Sequence, residues 1–319
     1  MPTEGYGFVP LPGSVHRAAR PHAVFDRRPA GTLSLVFEVT YRAVQPIHVG
    51  AGSWRLERTT AVRSAVRSGD RPVLPGSSLK GVLRARYEAL TRSCAVMESG
   101  PKDKSLTSRL PSRTYPQYHV KFSPALRQHE VFTRCTKAQM CSACALFGMM
   151  SQRSRVAVHD MVAPAGMRFE TVKLPVRYLP RPHHLGRYDV DHDAKIINVK
   201  RLRGRKFYVG DAAPPRYTEH AEAIPAGTLM SGRIVCTNVL LGELGGLLSA
   251  LGFRPASQLK VGSAKAYRFG QFELAGIELV HGDMPDGLLE RARAELKASP
   301  DYHLEGEKRL LMLHRGEWT

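Results

Sequence analysis

Apolar and polar residues begin to alternate at Thr32. Leu33, Leu35, Phe37, Val39 and Tyr41 fall at every second position, the period of a strand with one buried face. The run ends at Ile47-His48-Val49-Gly50-Ala51-Gly52, where glycines mark a turn or a close backbone approach. Residues 155–160, 227–240 and 269–280 read as further strands. Helical spacing takes over after Pro75-Gly76-Ser77-Ser78. There Leu79, Val82, Leu83, Tyr87 and Leu90 form one stripe, while Lys80, Arg84 and Glu88 share another face at i, i+4 intervals. The serines are suited to the N-cap. Leu244, Leu247, Leu248 and Leu251 predict a second helix closed by Gly252, and residues 288–296 a last short one. Residues 1–30 predict an irregular arm and residues 53–72 a mobile loop. Residues 94–134 and 170–225 predict irregular insertions, with core pattern in the latter only at Lys206-Phe207-Tyr208-Val209. Strands and helices mix without a regular βαβ array, so the expected class is α+β with an antiparallel sheet, and no internal repeat is present.

Composition narrows the picture. The 319 residues are 43% hydrophobic, which excludes wholesale disorder and allows one large or two small domains. No run approaches the roughly 20 apolar residues that cross a bilayer, and the N-terminus lacks a secretory apolar core. A cytoplasmic protein without a membrane partner is therefore expected. Lys and Arg number 47 against 28 Asp and Glu, a net charge of +19. Such a field attracts polyanions, nucleic acid first among them.

Five cysteines, three of them clustered, do not make a disulfide framework. Cys135-x5-Cys141-x2-Cys144 instead has the spacing of a structural Zn²⁺ knuckle lacking one ligand. His129 is the first choice for that ligand, Cys94 the second, and His119 a third. Cys236, inside an apolar strand, reads as a core thiol. The helix start with Ser77, Ser78, Lys80 and Arg84 has the donors and charge for a phosphate. Lys200, Arg201, Arg203, Arg205 and Lys206, followed by Phe207 and Tyr208, combine phosphate neutralisation with base stacking. Between Gly262 and Gly270, Lys265, Tyr267 and Arg268 sit on a glycine-bounded loop able to cradle a sugar-phosphate backbone. No nucleophile elbow, HExxH or Walker motif occurs. Loop histidines such as His183, His184 and His192 have no recognisable catalytic partner.

Four segments in this order resemble the RAMP superfamily. They are Ile47-His48-Val49-Gly50, Pro75-Gly76-Ser77-Ser78-Leu79-Lys80-Gly81, the Cys141-x2-Cys144-x-Leu146-Phe147-Gly148 knuckle before Ser154-Arg155-Val156, and the loop from Gly262 to Gly270. The likeness spans roughly residues 32–280 and is to the backbone subunits, the seventh Cas family, of type III CRISPR effector complexes. It implies a single domain over 1–319 with a ferredoxin-like (RRM-like) palm, a zinc-bearing insertion at 94–150 and a thumb hairpin within 170–225. It also implies contact of Gly50, Gly52, the helix start, the glycine loop and the basic stretch with guide RNA. The implied partners are a guide RNA, a complementary target RNA or DNA, further copies of the chain, other effector subunits and a separate nuclease. Target-slicing relatives carry an aspartate about fifteen residues before the helix, where this chain has Thr59 and Thr60. Glu57 and Asp70 are the nearest carboxylates, displaced in opposite directions. The expectation is a guide-holding scaffold, with an endoribonuclease that slices target or processes precursor guide RNA as the alternative.

Overall fold

The computed structural model describes residues 5–21, 28–95, 108–109, 118–150, 152–175, 186–210, 212–213, 216–253, 258–282 and 287–315. Parts of the expected arm, insertion and thumb, including His183 and His184, lie outside the described residues.

The chain opens with a short strand, β1 (Tyr6–Val9), followed by the long strand β2 (Thr32–Ala43). In β2 the alternation is realised, with Leu35, Phe37, Val39 and Tyr41 all buried. An outlying hairpin, β3 (Gly50–Glu57) and β4 (Thr60–Ala65), comes next. The short strands β5 (Arg67–Ser68) and β6 (Arg71–Leu74) lead into α1 (Gly76–Leu90). Leu79, Leu83, Tyr87 and Leu90 of α1 are buried as one stripe. Beyond it lie β7 (Ser108–Arg109), β8 (His119–Phe122), α2 (Pro124–Gln128) and α3 (Ser142–Phe147). Two short strands, β9 (Val156–Val158) and β10 (Met161–Val162), return to the core. Then follow β11 (Glu170–Pro175), β12 (Arg187–Asp191), β13 (Ile196–Arg201), β14 (Arg205–Tyr208) and β15 (Tyr217–Ala223). The long strand β16 (Leu229–Leu240) runs directly into α4 (Leu241–Leu251), which stops at Gly252 in the left-handed conformation. The chain finishes with β17 (Leu259–Lys260), β18 (Gln271–His281), α5 (Leu288–Ala298) and α6 (Leu304–Arg315).

The main sheet is ordered β17-β18-β2-β16-β10-β6-β5, with β9 also paired to β16, and every pairing is antiparallel. Along the chain, β2, α1, β9 with β10, β16, α4 and β18 make a strand-helix-strand-strand-helix-strand run. In space those strands lie fourth, first, third, second. Helices α1 and α4 pack together on this sheet, and Gly246 lies so close to the Tyr87 ring that an added Cβ would meet it at 2.5 Å. Tyr41 and Phe272 meet edge to face at 5.1 Å, and the Tyr41 hydroxyl donates to the Leu251 carbonyl at 3.1 Å. The class is α+β with mostly antiparallel sheets, as the periodicity indicated.

A buried ionic network ties this core together. Arg155, 1% exposed, pairs with Glu243 at 2.6 Å and donates to the Asn238 and Ala145 carbonyls. Arg20 reaches Asp301 at 2.5 Å and Glu243 at 3.8 Å, so the start of the chain is stapled to its end. Each charge is compensated, without which burial at such depth would be prohibitive.

Several expectations need correction. Residues 53–72 are mostly strand: β3 and β4 form a hairpin that continues through β15 to β11 in a four-stranded sheet. β3 is exposed along almost its whole length and β4 buries only Val62 and Ala65, so no period-2 pattern marked the hairpin. The expected irregular arm supplies β1, paired with β14, and an Ala18–Met140 bridge. The 170–225 segment is largely strands distributed over three sheets, β12 and β13 joining β8 and β7 over a small core of Val120, Leu126, Ile197 and Val199. Helix α6, whose Leu310 and Leu313 are buried, was not foreseen.

Candidate nucleic-acid interface and metal centre

The start of α1 departs from expectation. Pro75, not a serine, occupies the N-cap position, and no side chain of the cap residue closes the helix. The Asp160 carboxylate does so instead, its Oδ1 accepting from the Gly76 N–H at 2.7 Å. Gly76 is required there, since a Cβ would lie 2.2 Å from the Val158 carbonyl oxygen. A carboxylate therefore already complements the positive pole that a phosphate would seek. Ser77 is exposed and Ser78 half-buried within the first turn.

Three remote segments converge beside that turn. Ser78 and Gly81 of α1, Lys206 and Tyr208 of β14, and Lys260, Gly262 and Lys265 of the glycine loop line one cleft of about 350 Å³. The loop is closed by Gly262, φ 78°, whose α-carbon sits against the His48 carbonyl, and by the Ser263 N–H donating to that carbonyl at 2.9 Å. Lys260 braces it from within, donating to Gln45 Oε1 at 2.7 Å and to the Phe269 and Tyr267 carbonyls. Burial lowers the Lys265 pKa, and burial together with neighbouring Arg84 lowers that of Lys80. Such partly desolvated ammonium groups gain from an arriving anion.

Arg84 and Arg205 point into a second cleft, about 860 Å³, on the other side of β14. Both are engaged. Arg84 donates to Glu88 at 2.9 Å and to the Gly148 carbonyl at 3.1 Å; Arg205 reaches Glu88 at 2.6 Å and the Cys94 carbonyl at 2.9 Å. Burial opposes the charge on Arg84, but Glu88 more than offsets it and the pKa is raised.

The other singled-out residues scatter. Lys80 and Arg268 line neither cleft, although Arg268 is exposed. Tyr267 is 4% exposed and packs inward, so its ring offers no face to a base. Lys200 pairs with Asp189 at 3.2 Å, and it and Arg201 are exposed on β13. Gly50 and Gly52 lie on exposed β3. Glu57 is ion-paired with Arg55 at the β3–β4 turn, and Asp70 is exposed between β5 and β6, in a different sheet. Asp160 and Lys260 were missed; an Asp directly after a strand was the only signal for the first.

The sulfurs of Cys94, Cys135, Cys141 and Cys144 lie within 4.8 Å of one another. Cys94 is 3.5 Å from Cys144, 3.7 Å from Cys141 and 3.8 Å from Cys135. A tetrahedral ion with metal–sulfur bonds of about 2.3 Å requires sulfur separations of about 3.8 Å, so the four thiols fit a metal; a disulfide requires about 2 Å. Hydrogen bonding with Cys141, Cys144 and Cys94 lowers the Cys135 thiol pKa well below its ordinary value. Of the residues weighed for the fourth position, the second choice, Cys94, is the one that lies in the cluster, and His129, the first choice, does not. His129 instead accepts the Val131 N–H on its ring at 3.3 Å, and His119 sits in β8. Cys236 is a core thiol, its pKa pushed up to about 12 by burial.

An α+β chain with a basic cleft and a four-cysteine knuckle is thus the class that fold and site define. A family model for the RAMP superfamily matches residues 40–273, and the chain belongs to that superfamily. Membership points to a CRISPR-associated, RNA-binding role. A comparison with curated proteins gave no match. No helix among the described residues is long and apolar enough to cross a membrane.

Proposed function

We propose that the chain is a guide-RNA-binding backbone subunit of a type III CRISPR ribonucleoprotein effector. On this reading it holds the guide and the guide–target duplex beside further copies of itself and other effector subunits in the cytoplasm, and carries no catalytic aspartate of its own. The observation that carries the reading is the smaller cleft. Cations of β14 and of the glycine loop meet the first turns of α1 there, as a groove that follows a phosphate backbone requires. The fourth-first-third-second strand order supports a ferredoxin-like palm. The sulfur cluster supports a structural Zn²⁺ held by Cys94, Cys135, Cys141 and Cys144, which would stitch the insertion to the end of α1. Glu57, engaged by Arg55, and Asp70, in another sheet, do not combine into a cleavage site, which favours a scaffold over a nuclease.

Size-exclusion of the full chain with guide RNAs of increasing length tests this. Stacked copies should increase with RNA length, and affinity should fall steeply with salt. One copy per RNA at every length, or affinity indifferent to salt, overturns it. Cleavage of complementary RNA that is lost with Asp70→Ala would overturn the scaffold reading alone.

A further inference from the structure

We propose that the outward face of the β1–β14 ribbon is a stacking platform for an unpaired base of a single-stranded nucleic acid, formed by Tyr6, Phe8 and Tyr208 with Arg203, Lys206 and Lys265. The proposal rests on the RNA-binding reading and adds a site whose aromatic half comes from the segment expected to be irregular.

Register builds the face. Tyr6 pairs with Tyr208 and Phe8 with Lys206, so these four side chains share one side of the ribbon. Gly7, Val9, Arg205 and Phe207 share the other side, turned toward the body. Val9 is fully buried, and a Cβ on Gly7 would lie 2.3 Å from Leu313 of α6. Gly5, φ 68°, is held under the ribbon: its carbonyl accepts the Val209 N–H at 2.9 Å, and its α-carbon abuts the Ala266 carbonyl. The platform is therefore fixed from behind, and its rings are pre-ordered before any ligand arrives.

The rings meet each other edge-on, Tyr6 to Phe8 at 5.9 Å and 89°, Tyr6 to Tyr208 at 6.2 Å and 69°. Cations lie over the ring faces. The Lys206 ammonium is 3.6 Å from the Tyr6 centroid and 4.9 Å from that of Tyr208. Lys265 is 5.2 Å from Tyr208, and Arg203 is 4.7 Å from Phe8. At a half-exposed site a ring–cation contact is worth less than the stacking of a nucleobase on the same ring. A flexible lysine can cede the ring face to a base and follow its phosphate. Lys206, Tyr208 and Lys265 also line the smaller cleft, so a strand threaded there passes directly onto the rings.

Binding of the full chain to a single-stranded oligoadenylate and to an abasic ribose-phosphate strand of equal length separates stacking from charge. The double variant Tyr6→Leu, Phe8→Leu preserves bulk. It should weaken oligoadenylate binding about tenfold and leave the abasic strand unaffected. Lys206→Gln should weaken both. Unchanged oligoadenylate binding, or an equal loss on both strands, overturns the platform while leaving RNA binding intact. Failure of the unaltered chain to bind either strand overturns the RNA-binding reading and the platform with it. A readout free of variants is the emission of 2-aminopurine placed in the oligoadenylate: binding should quench it, and emission unchanged on binding refutes stacking.

Discussion

Replacing Cys94 by serine removes the sulfur that joins the end of α1 to the knuckle. Cys94 and Cys144 are 50 residues apart in sequence, and an ion shared between them closes that length of chain. Treated as a cross-link, such a loop stabilises the fold by roughly 4 kcal/mol. The chain has 319 residues, and at an unfolding entropy of about 2.1 cal/mol/K per residue that loss lowers the melting temperature by about 6 °C. Metal content per chain, by mass spectrometry of the digested protein, should fall from one equivalent toward none, and calorimetry should show the shift. His129→Ala is the matched control. Its ring accepts the Val131 N–H and is not part of the sulfur cluster, so the change should retain the metal and cost about 1 kcal/mol of capping, a shift near 1.5 °C. X-ray absorption on the unaltered protein should show sulfur neighbours alone. Full metal retention by Cys94→Ser, metal loss in His129→Ala, or a chelator that strips the ion without moving the melt would refute the reasoning.

Arg155→Leu leaves the buried Glu243 carboxylate with the Leu240 N–H at 2.9 Å and Arg20 at 3.8 Å, so urea titration should show a loss of about 3–5 kcal/mol. A loss below about 1 kcal/mol would contradict it. Burial raises the Glu222 pKa, but Arg67, the Ala65 N–H at 2.9 Å and Arg55 outweigh it, and the net shift is downward. A folded pKa below the unfolded one gives stability that is complete above the unfolded value and lost as pH falls through the folded one. Stability should therefore decline below a pH of about 4.5, and less so in Glu222→Gln; parallel acid curves for the two proteins would contradict it. Arg205→Ala frees β14 from Glu88 and the Cys94 carbonyl and should cost about 2–3 kcal/mol, lowering RNA affinity with metal content unchanged. RNA affinity equal to that of the unaltered chain would count against the tie.

The main sheet was legible where its long strands bury one face. In β2, β16 and β18 alternation follows from a sheet covered by helices on one side. The stripes of α1 and α4 followed from the same geometry. The β3–β4 hairpin was illegible because β3 is exposed almost throughout and β4 buries only Val62 and Ala65, three positions apart, so burial imposes no period of two. β1 is only four residues long and contains Gly7, which is there to admit Leu313, a long-range cause that no local pattern expresses. The C-x2-C pair could be read directly, since those two ligands come from one turn. Its fourth partner could not, because Cys94 and His129 both lay within plausible chain reach and only the path of the chain after α1 decides between them.

Charge was the more deceptive signal. A surplus of +19 is a sum, and a sum does not say which cations face a ligand. Many arginines are spent inside the fold on carboxylates or carbonyls: Arg20 and Arg155 on Glu243 and Asp301, Arg84 and Arg205 on Glu88, Arg67 on Glu222. Guanidinium suits that work, since its planar donor array satisfies several acceptors at once and stays charged when buried. Lysines dominate the smaller cleft instead, where Lys206 and Lys265 lie over aromatic rings. The basic stretch from Lys200 to Lys206 therefore divides by residue rather than acting as one patch. Arg205 turns inward as a tie between β14 and the cysteine knuckle, while its neighbour Lys206, on the opposite face of the same strand, turns outward to the cleft. Strand periodicity, not charge density, is what sends the cation that ties down the fold and the cation that lines the cleft to opposite faces of one strand.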